Sequence, residues 1–226
     1  MSLPSTSLVR CDDTHRLISV RFGESVLSQI ADDADMTAIF ELDSATNDRL
    51  LAEQGLCAGI GVHELLFGVP YARIVNAAFT HPHPLGGRFN GPDRGSWYAG
   101  AELETAQAEV AFHKTVALAE IGRFEDEATV VDYLADVHAE LHDVRTGTYG
   151  AYLDPGSYQA SQALAEKLLN DGSMGIIYPS VRKHGGTCIA CFRPAIVTNV
   201  RKGCNYRFIW SGNPTPNIVA CESTDV

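Results

Sequence analysis

The chain has 226 residues, 45% apolar and 20% charged, which is enough apolar material for one sizeable core. Its formal charge is −11, from 17 Lys+Arg against 28 Asp+Glu, and no basic run offers the cationic stripe that a duplex-binding surface needs. Direct nucleic-acid binding is therefore not expected. No apolar stretch approaches the length that spans a bilayer, and MSLPSTSLVRCDD has no apolar segment after its arginine. Neither a membrane span nor a signal peptide is expected, and a cytoplasmic location is predicted.

In chain order, HRLISVRF (His15–Phe22) reads as a first strand. Val26 to Gly55 has helical character, with a cap at Asp43 or Ser44 and a stop at Gly55. ARIVNAAF is open between helix and strand, because periodicity does not separate them. GRFN and SWYA read as two short strands about a Pro-Asp-Arg-Gly turn. AELETAQAEVAFHKTVALAEIGRF is a strong helix, with Leu103, Ala106, Val110, Ala117 and Ile121 on one side. From Val131 to Leu141 the residues alternate: Val131, Tyr133, Ala135, Val137, Ala139 and Leu141 face one way, opposite a mostly polar set. That is a long, half-buried strand. YQASQALAEKLLND is a helix ended by Gly172, and MGIIYPS, TCIACF, AIVTNV and YRFIW are short strands. The order predicts a mixed α+β fold, not the alternation of a doubly wound one.

Several familiar signals fail. Ala58-Gly59-Ile60-Gly61 starts like a dinucleotide fingerprint, but position 64 is glutamate where a third glycine is needed. Ser96 lies outside any G-x-S-x-G elbow. His81 and His83 in HPHP have no evident third ligand and read as loop punctuation, so no metal is expected. The six cysteines (11, 57, 188, 191, 204 and 221) are scattered and read as structural, the C-x-x-C of TCIACF included.

The oddest segment is GGRFNGPDRGSWYAG, Gly86–Gly100, with five glycines, two arginines and three aromatics in fifteen positions. Glycine lets backbone approach a ligand closely, arginine grips phosphate as a fork, and tyrosine can stack on a flat ring. Arg88 sits in this segment. Glu109 sits on the strong helix, one turn before His113, at the rim of its apolar stripe, where partial desolvation favours functional use. Ser180 ends MGIIYPS and precedes Arg182-Lys183-His184, the only cationic cluster in the chain. Read singly, each could equally be a surface arginine in an ion pair, a solvated helix glutamate or a turn serine.

Together, Arg88 in GGRFN, Glu109 in ETAQAEVAFH and Ser180 in GIIYPSVR resemble the Arg, Glu and Ser of the RES domain family. Trp97-Tyr98 and VNAAFTHPHPLGGRFN fit the same pattern, from about Arg16 to Phe192. The resemblance implies an ADP-ribosyltransferase-like split mixed β-sheet with flanking helices. Residues 1–70 are then expected as an N-terminal helical extension on a core of residues 71–226. It further implies the toxin half of a toxin–antitoxin pair, held by an Xre-type antitoxin through which any DNA contact would run. The implied substrate is NAD, cleaved at the nicotinamide–ribose bond by water or inorganic phosphate. The alternative within the family is transfer of ADP-ribose to a protein. By the same resemblance Glu109 stabilises the ribose cation, Arg88 holds the pyrophosphate or a ribose-side oxygen, Tyr98 walls the nicotinamide and Ser180 bonds a polar edge of the substrate. Asn90 and His113 are further contacts, and Arg182-Lys183-His184 is a seat for phosphate.

Overall fold

A computed structural model describes residues 3–19 and 59–221. Its elements in chain order are β1 (Thr6–Ser19), α1 (Ala72–Thr80), β2 (Trp97–Gly100), α2 (Leu103–Glu120), β3 (Glu125–Asp143), α3 (Gln159–Asn170), β4 (Gly175–Pro179), β5 (Thr187–Cys191), β6 (Val197–Ser211) and β7 (Asn217–Cys221). The fold is mixed α+β, with one seven-stranded mixed sheet and helices on it.

β3 organises the sheet. Along one edge it pairs antiparallel with β1, from Thr6↔His142 to Ser19↔Val130. Along the other it pairs antiparallel with β6 from Glu125↔Ser211 to Val137↔Val197. At its last two residues it pairs instead, in parallel, with β4. The sheet therefore forks, with β6 and β7 on one arm and β4, β5 and β2 on the other. β2 meets β1 again at His15↔Gly100, which closes the second arm into a ring. α2 packs against β1, β2 and β5 and so walls the second arm.

The alternating residues expected over Val131–Leu141 fall inside β3. Val131, Tyr133, Ala135, Val137 and Leu141 are buried in the main core with Trp97, Phe79 and Ile189. The opposite face is not wholly polar and solvated. Asp132 on that face is 3% exposed, with its Oδ2 2.7 Å from His15 Nδ1. A second cluster of Leu118, Val130, Phe208 and Trp210, joined by Val110 of α2 and Leu17 of β1, covers that face.

The structure changes several sequence expectations and leaves one untested. β1 begins at Thr6 and lies along β3, so these residues belong to the sheet and not to an N-terminal helical extension. The helix expected over Val26–Gly55 lies outside the described residues. GRFN forms only an isolated bridge, Gly87↔Asn90, because the loop folds back on itself. On α2 the buried residues are Thr105, Ala106 and Leu118, whereas Ala117 and Ile121 of the expected stripe are exposed. ARIVNAAF is resolved as helix α1, and AIVTNV and YRFIW are one continuous strand, β6.

An ion-pair knot ties the glycine-rich loop to the core. Arg94 donates from Nη1 and Nη2 to the two Glu64 oxygens, at 2.8 Å each, and also to the carbonyls of Gly59 and Phe192. Arg193 donates to the same carboxylate. Hydrogen bonding from Arg94, with Arg193 adding to it, lowers the Glu64 pKa to about 2 from the ordinary 4.5, against the opposing effect of burial. A depressed carboxyl pKa stabilises the fold above the unfolded value and ceases to do so as pH falls through the folded one. Glu64→Gln is thus expected to cost about 2 kcal/mol near pH 7, at the low end for a partly screened pair. The melting-temperature difference from the parent should hold constant above about pH 5 and vanish near pH 2. A difference independent of pH across that window would assign the loss to packing.

Candidate active site

The loop before β2 is built so that Arg88 can enter the fold. Gly86 has φ +72°, and a Cβ on Gly87 would sit 2.7 Å from the Tyr98 hydroxyl, so neither position accepts a side chain without displacement. Tyr98 Oη–H donates to Asn90 Oδ1 and its oxygen accepts from Phe89 N–H, both at 2.8 Å. Asn90 Nδ2 donates to the carbonyls of Gly91 and Arg94. The hydroxyl of Tyr98 and the amide of Asn90 are therefore spent on holding the loop, and the half-buried ring of Tyr98 packs against the cluster of Phe89, Tyr178 and Cys188. Burial also raises the Tyr98 pKa well above the ordinary phenol value, so the hydroxyl stays a donor.

Arg88 is 6% exposed. Nη1 donates to the Asp154 carbonyl at 2.8 Å and more weakly to that of Tyr152 at 3.4 Å. The guanidinium carbon lies 4.7 Å from the centroid of the Tyr158 ring. Its Nη2 is buried and has no hydrogen-bond partner among the described residues. A buried cationic donor left open is costly unless something occupies it at times.

Glu109 reaches the same wall from α2, and two glycines set the helix down there. A Cβ at Gly100 would stand 2.7 Å from Ala106 N, and one at Gly186 2.3 Å from Thr105 Oγ1. The Glu102 carboxylate ties the helix start to β5, accepting from Thr105 Oγ–H at 2.6 Å and from Thr187 N–H at 3.0 Å. One turn after Thr105, the Glu109 side chain meets Ser180. Ser180 Oγ–H donates to Glu109 Oε1 at 2.7 Å, while its oxygen accepts from the N–H groups of Arg182 and Lys183. Cys188 Sγ also lies 3.6 Å from Oε1.

Arg88 and Glu109 share an environment. Tyr178 of β4, buried and edge-on to Phe89 of the loop at 4.8 Å, feels both charges. So does His113. His113 is exposed, but partial desolvation of its ring lowers its pKa, against Glu109 and with Arg182, Arg88 and His83 adding to it, so the imidazole is neutral near pH 7. Arg182 closes this side. Its guanidinium carbon lies 3.3 Å from the Phe112 ring centroid and Nη2 donates to the Pro155 carbonyl. Lys183 and His184 are exposed.

The structure thus brings together Arg88, Glu109, Ser180, His113 and Arg182, and assigns the polar atoms of Asn90 and Tyr98 to the loop that carries Arg88. Tyr158, Tyr178, Cys188 and the carbonyls of residues 152–155 complete the wall. The sequence reading missed them because nothing local ties them to Arg88 or Glu109. A cavity of about 420 Å³ behind the loop, between Gly91–Ser96 and α3, is lined by none of Arg88, Glu109 and Ser180. His81 Nδ1 is bonded to the Thr80 hydroxyl and His83 Nδ1 accepts from Leu85 N–H. Among the described residues no three His, Cys, Asp or Glu side chains are grouped to hold a metal ion.

Chemically, the wall offers an open guanidinium donor, a carboxylate with one oxygen tethered, and aromatic surface. It suits an anionic substrate in which positive charge develops near the anion-binding end.

A solved structure described as the M. tuberculosis MbcT-MbcA toxin-antitoxin complex is similar at 12% identity, over 90% of this chain and 84% of that chain, with a TM-score of 0.46. No curated protein matches the sequence. The RES domain family model matches residues 65–211, more than half of the chain and all of the wall just described, and the chain belongs to the RES domain family.

Proposed function

We propose that this protein is the toxin of a toxin–antitoxin pair, and that it destroys NAD by breaking the bond between nicotinamide and ribose. The observation that carries this reading is the buried Arg88 guanidinium with Nη2 unspent, on the same wall as Glu109. An unpaired buried cationic donor fits a phosphate or ribose oxygen. In NAD the nicotinamide is already cationic and departs with the bonding electron pair as a neutral molecule, so its departure needs no general acid. The ribose carbon is left electron-deficient. The carboxylate of Glu109 stabilises that charge from Oε2, which has no hydrogen-bond partner among the described residues, while Oε1 is held by Ser180. Neutral His113 adds no like charge beside it. Water, which releases a proton to solvent, or inorganic phosphate then bonds to the ribose carbon, with Arg182 beside the site as the group to hold phosphate. A tight complex with a small Xre-type antitoxin restrains the activity.

The test is product analysis of an NAD digest by purified protein, with and without phosphate. Free nicotinamide with ADP-ribose means hydrolysis, and ADP-ribose 1″-phosphate means phosphorolysis. Label from NAD appearing on a protein band in a lysate would move the assignment to ADP-ribosyl transfer. NAD left intact under all three conditions refutes the reading.

The Ser180 hydroxyl is directed at Glu109, which makes Ser180 a positioning residue in this mechanism. Ser180→Ala is expected to lower kcat by roughly 10- to 30-fold, the worth of one hydrogen bond to a charged group, with KM for NAD little changed. A change confined to KM would place Ser180 on the substrate instead.

A further inference from the structure

Cys188 lies within the site but is absorbed by none of the roles above. It is 3% exposed, among Phe89, Tyr178, Ala190 and Phe192. Cys191, three residues on, is buried on the opposite face with Trp97 and Ile189, close to Arg16. The C-x-x-C is therefore no redox or metal pair, since the strand sends its sulfurs to opposite sides. The two cysteines also differ in surroundings. Cys191 faces apolar side chains and a cation, whereas Cys188 faces a carboxylate at 3.6 Å.

We propose that Cys188 is a positioning residue for Glu109: its S–H donates to Oε1 beside the Ser180 hydroxyl, so that two donors fix that oxygen and leave Oε2 for the substrate. The inference rests on the role proposed for Glu109. Burial, and then the Glu109 charge, raises the Cys188 pKa far above that of a free thiol, so the group keeps its proton and can only donate toward a carboxylate. Phe89, Tyr178 and Phe192 pack around the same sulfur and limit where its S–H can point. A thiol is a weak donor in water, but an ionised acceptor in a water-poor setting strengthens the bond. A buried cysteine can also be no more than a small apolar filler, and the two roles separate by substitution. Serine keeps a donor and valine keeps only bulk.

The experiment compares the full-length parent, Cys188→Ser and Cys188→Val, with Cys191→Val as a packing control. NAD cleavage is measured across pH. Cys188→Val should lose about 5- to 10-fold in kcat, with KM within about twofold and the acid limb of the profile moved to higher pH, because the charged carboxylate has lost a donor. Cys188→Ser should stay within about threefold of the parent, since a hydroxyl replaces the thiol donor. A Cys188→Val enzyme that matches the parent in rate and profile overturns the proposal, and so does a Cys188→Ser enzyme impaired as much as the valine variant. Infrared spectra supply a readout that needs no turnover. The S–H stretch assigned to Cys188, by difference against Cys188→Ser, should lie below that of Cys191 and rise in Glu109→Ala. A band that does not move in Glu109→Ala overturns the contact. If the parent leaves NAD intact, it is the reading of the site that fails, and the infrared comparison still decides this contact.

Discussion

Glu109→Gln is expected to lower kcat for NAD cleavage by about 100- to 1,000-fold while leaving the melting temperature within a few degrees of the parent. The magnitude follows from removing one preorganised charge directed at a developing one. The amide keeps the shape of the side chain and an oxygen that can accept from Ser180, so the contact that locates it survives. What is lost is the negative charge beside the ribose cation. Since Glu109 is only half-buried, its neutral replacement strands no buried partner charge. Single-turnover measurement of nicotinamide release on saturating NAD isolates the chemical step. A Glu109→Gln protein that releases nicotinamide as fast as the parent would remove the carboxylate from the mechanism.

That carboxylate stands where it does because of contacts far from it in sequence. α2 settles onto β2 and β5 because Gly100 and Gly186 have no side chains to hold it off. Glu102 and Thr105 then fix its first turn to β5. The next turn must deliver Glu109 to the end of β4, where the Ser180–Gly186 turn places a hydroxyl. Arg88 comes to the same wall by an independent route, through a loop pinned by Tyr98, Asn90 and Arg94. Two rigid supports therefore converge on one place, which is how a site is kept in register by a fold of this size.

The parts of this arrangement visible in the sequence are those whose signal is local. The alternation over Val131–Leu141 reports β3 because a sheet repeats every two residues. Arg88, Glu109 and Ser180 stand out through their immediate surroundings: glycines, an apolar rim and the end of a strand. Signals that depend on distant partners are silent. Asp132 belongs by alternation to the polar set, and only the packing of α2 over that face, beside Phe208 and Trp210 of the neighbouring strand β6 and His15 of β1, buries it. Ile121 continues an apolar stripe but caps the C-terminal end of α2 and is 70% exposed. Arg94 looks like a turn residue, and its bidentate partner, Glu64, lies thirty positions earlier. Cys188 reads as structural because the carboxylate beside it comes from a helix 79 positions away.

Arg88→Lys is expected to reduce kcat/KM for NAD by about 100-fold, although the charge is kept. A lysine is a single point donor, whereas the guanidinium divides its work. Nη1 is committed to the carbonyls of Asp154 and Tyr152, the planar face lies over Tyr158, and Nη2 remains for the substrate. An ammonium group can satisfy the carbonyls or meet the substrate, but the geometry does not let it do both. Losing one charge-assisted bond of about 1.5–3 kcal/mol accounts for most of the effect, and most of it should appear as a raised KM, because the anchor acts in the ground state as well as the transition state. Thermal unfolding with and without NAD separates anchoring from folding. The parent should be stabilised by NAD in proportion to RT ln(1 + [L]/Kd), and Arg88→Lys should show a smaller shift from a baseline only modestly lower. Measured on the Glu109→Gln background, where turnover no longer depletes the ligand, an equal shift with arginine or lysine at position 88 would take the pyrophosphate anchor away from this side chain.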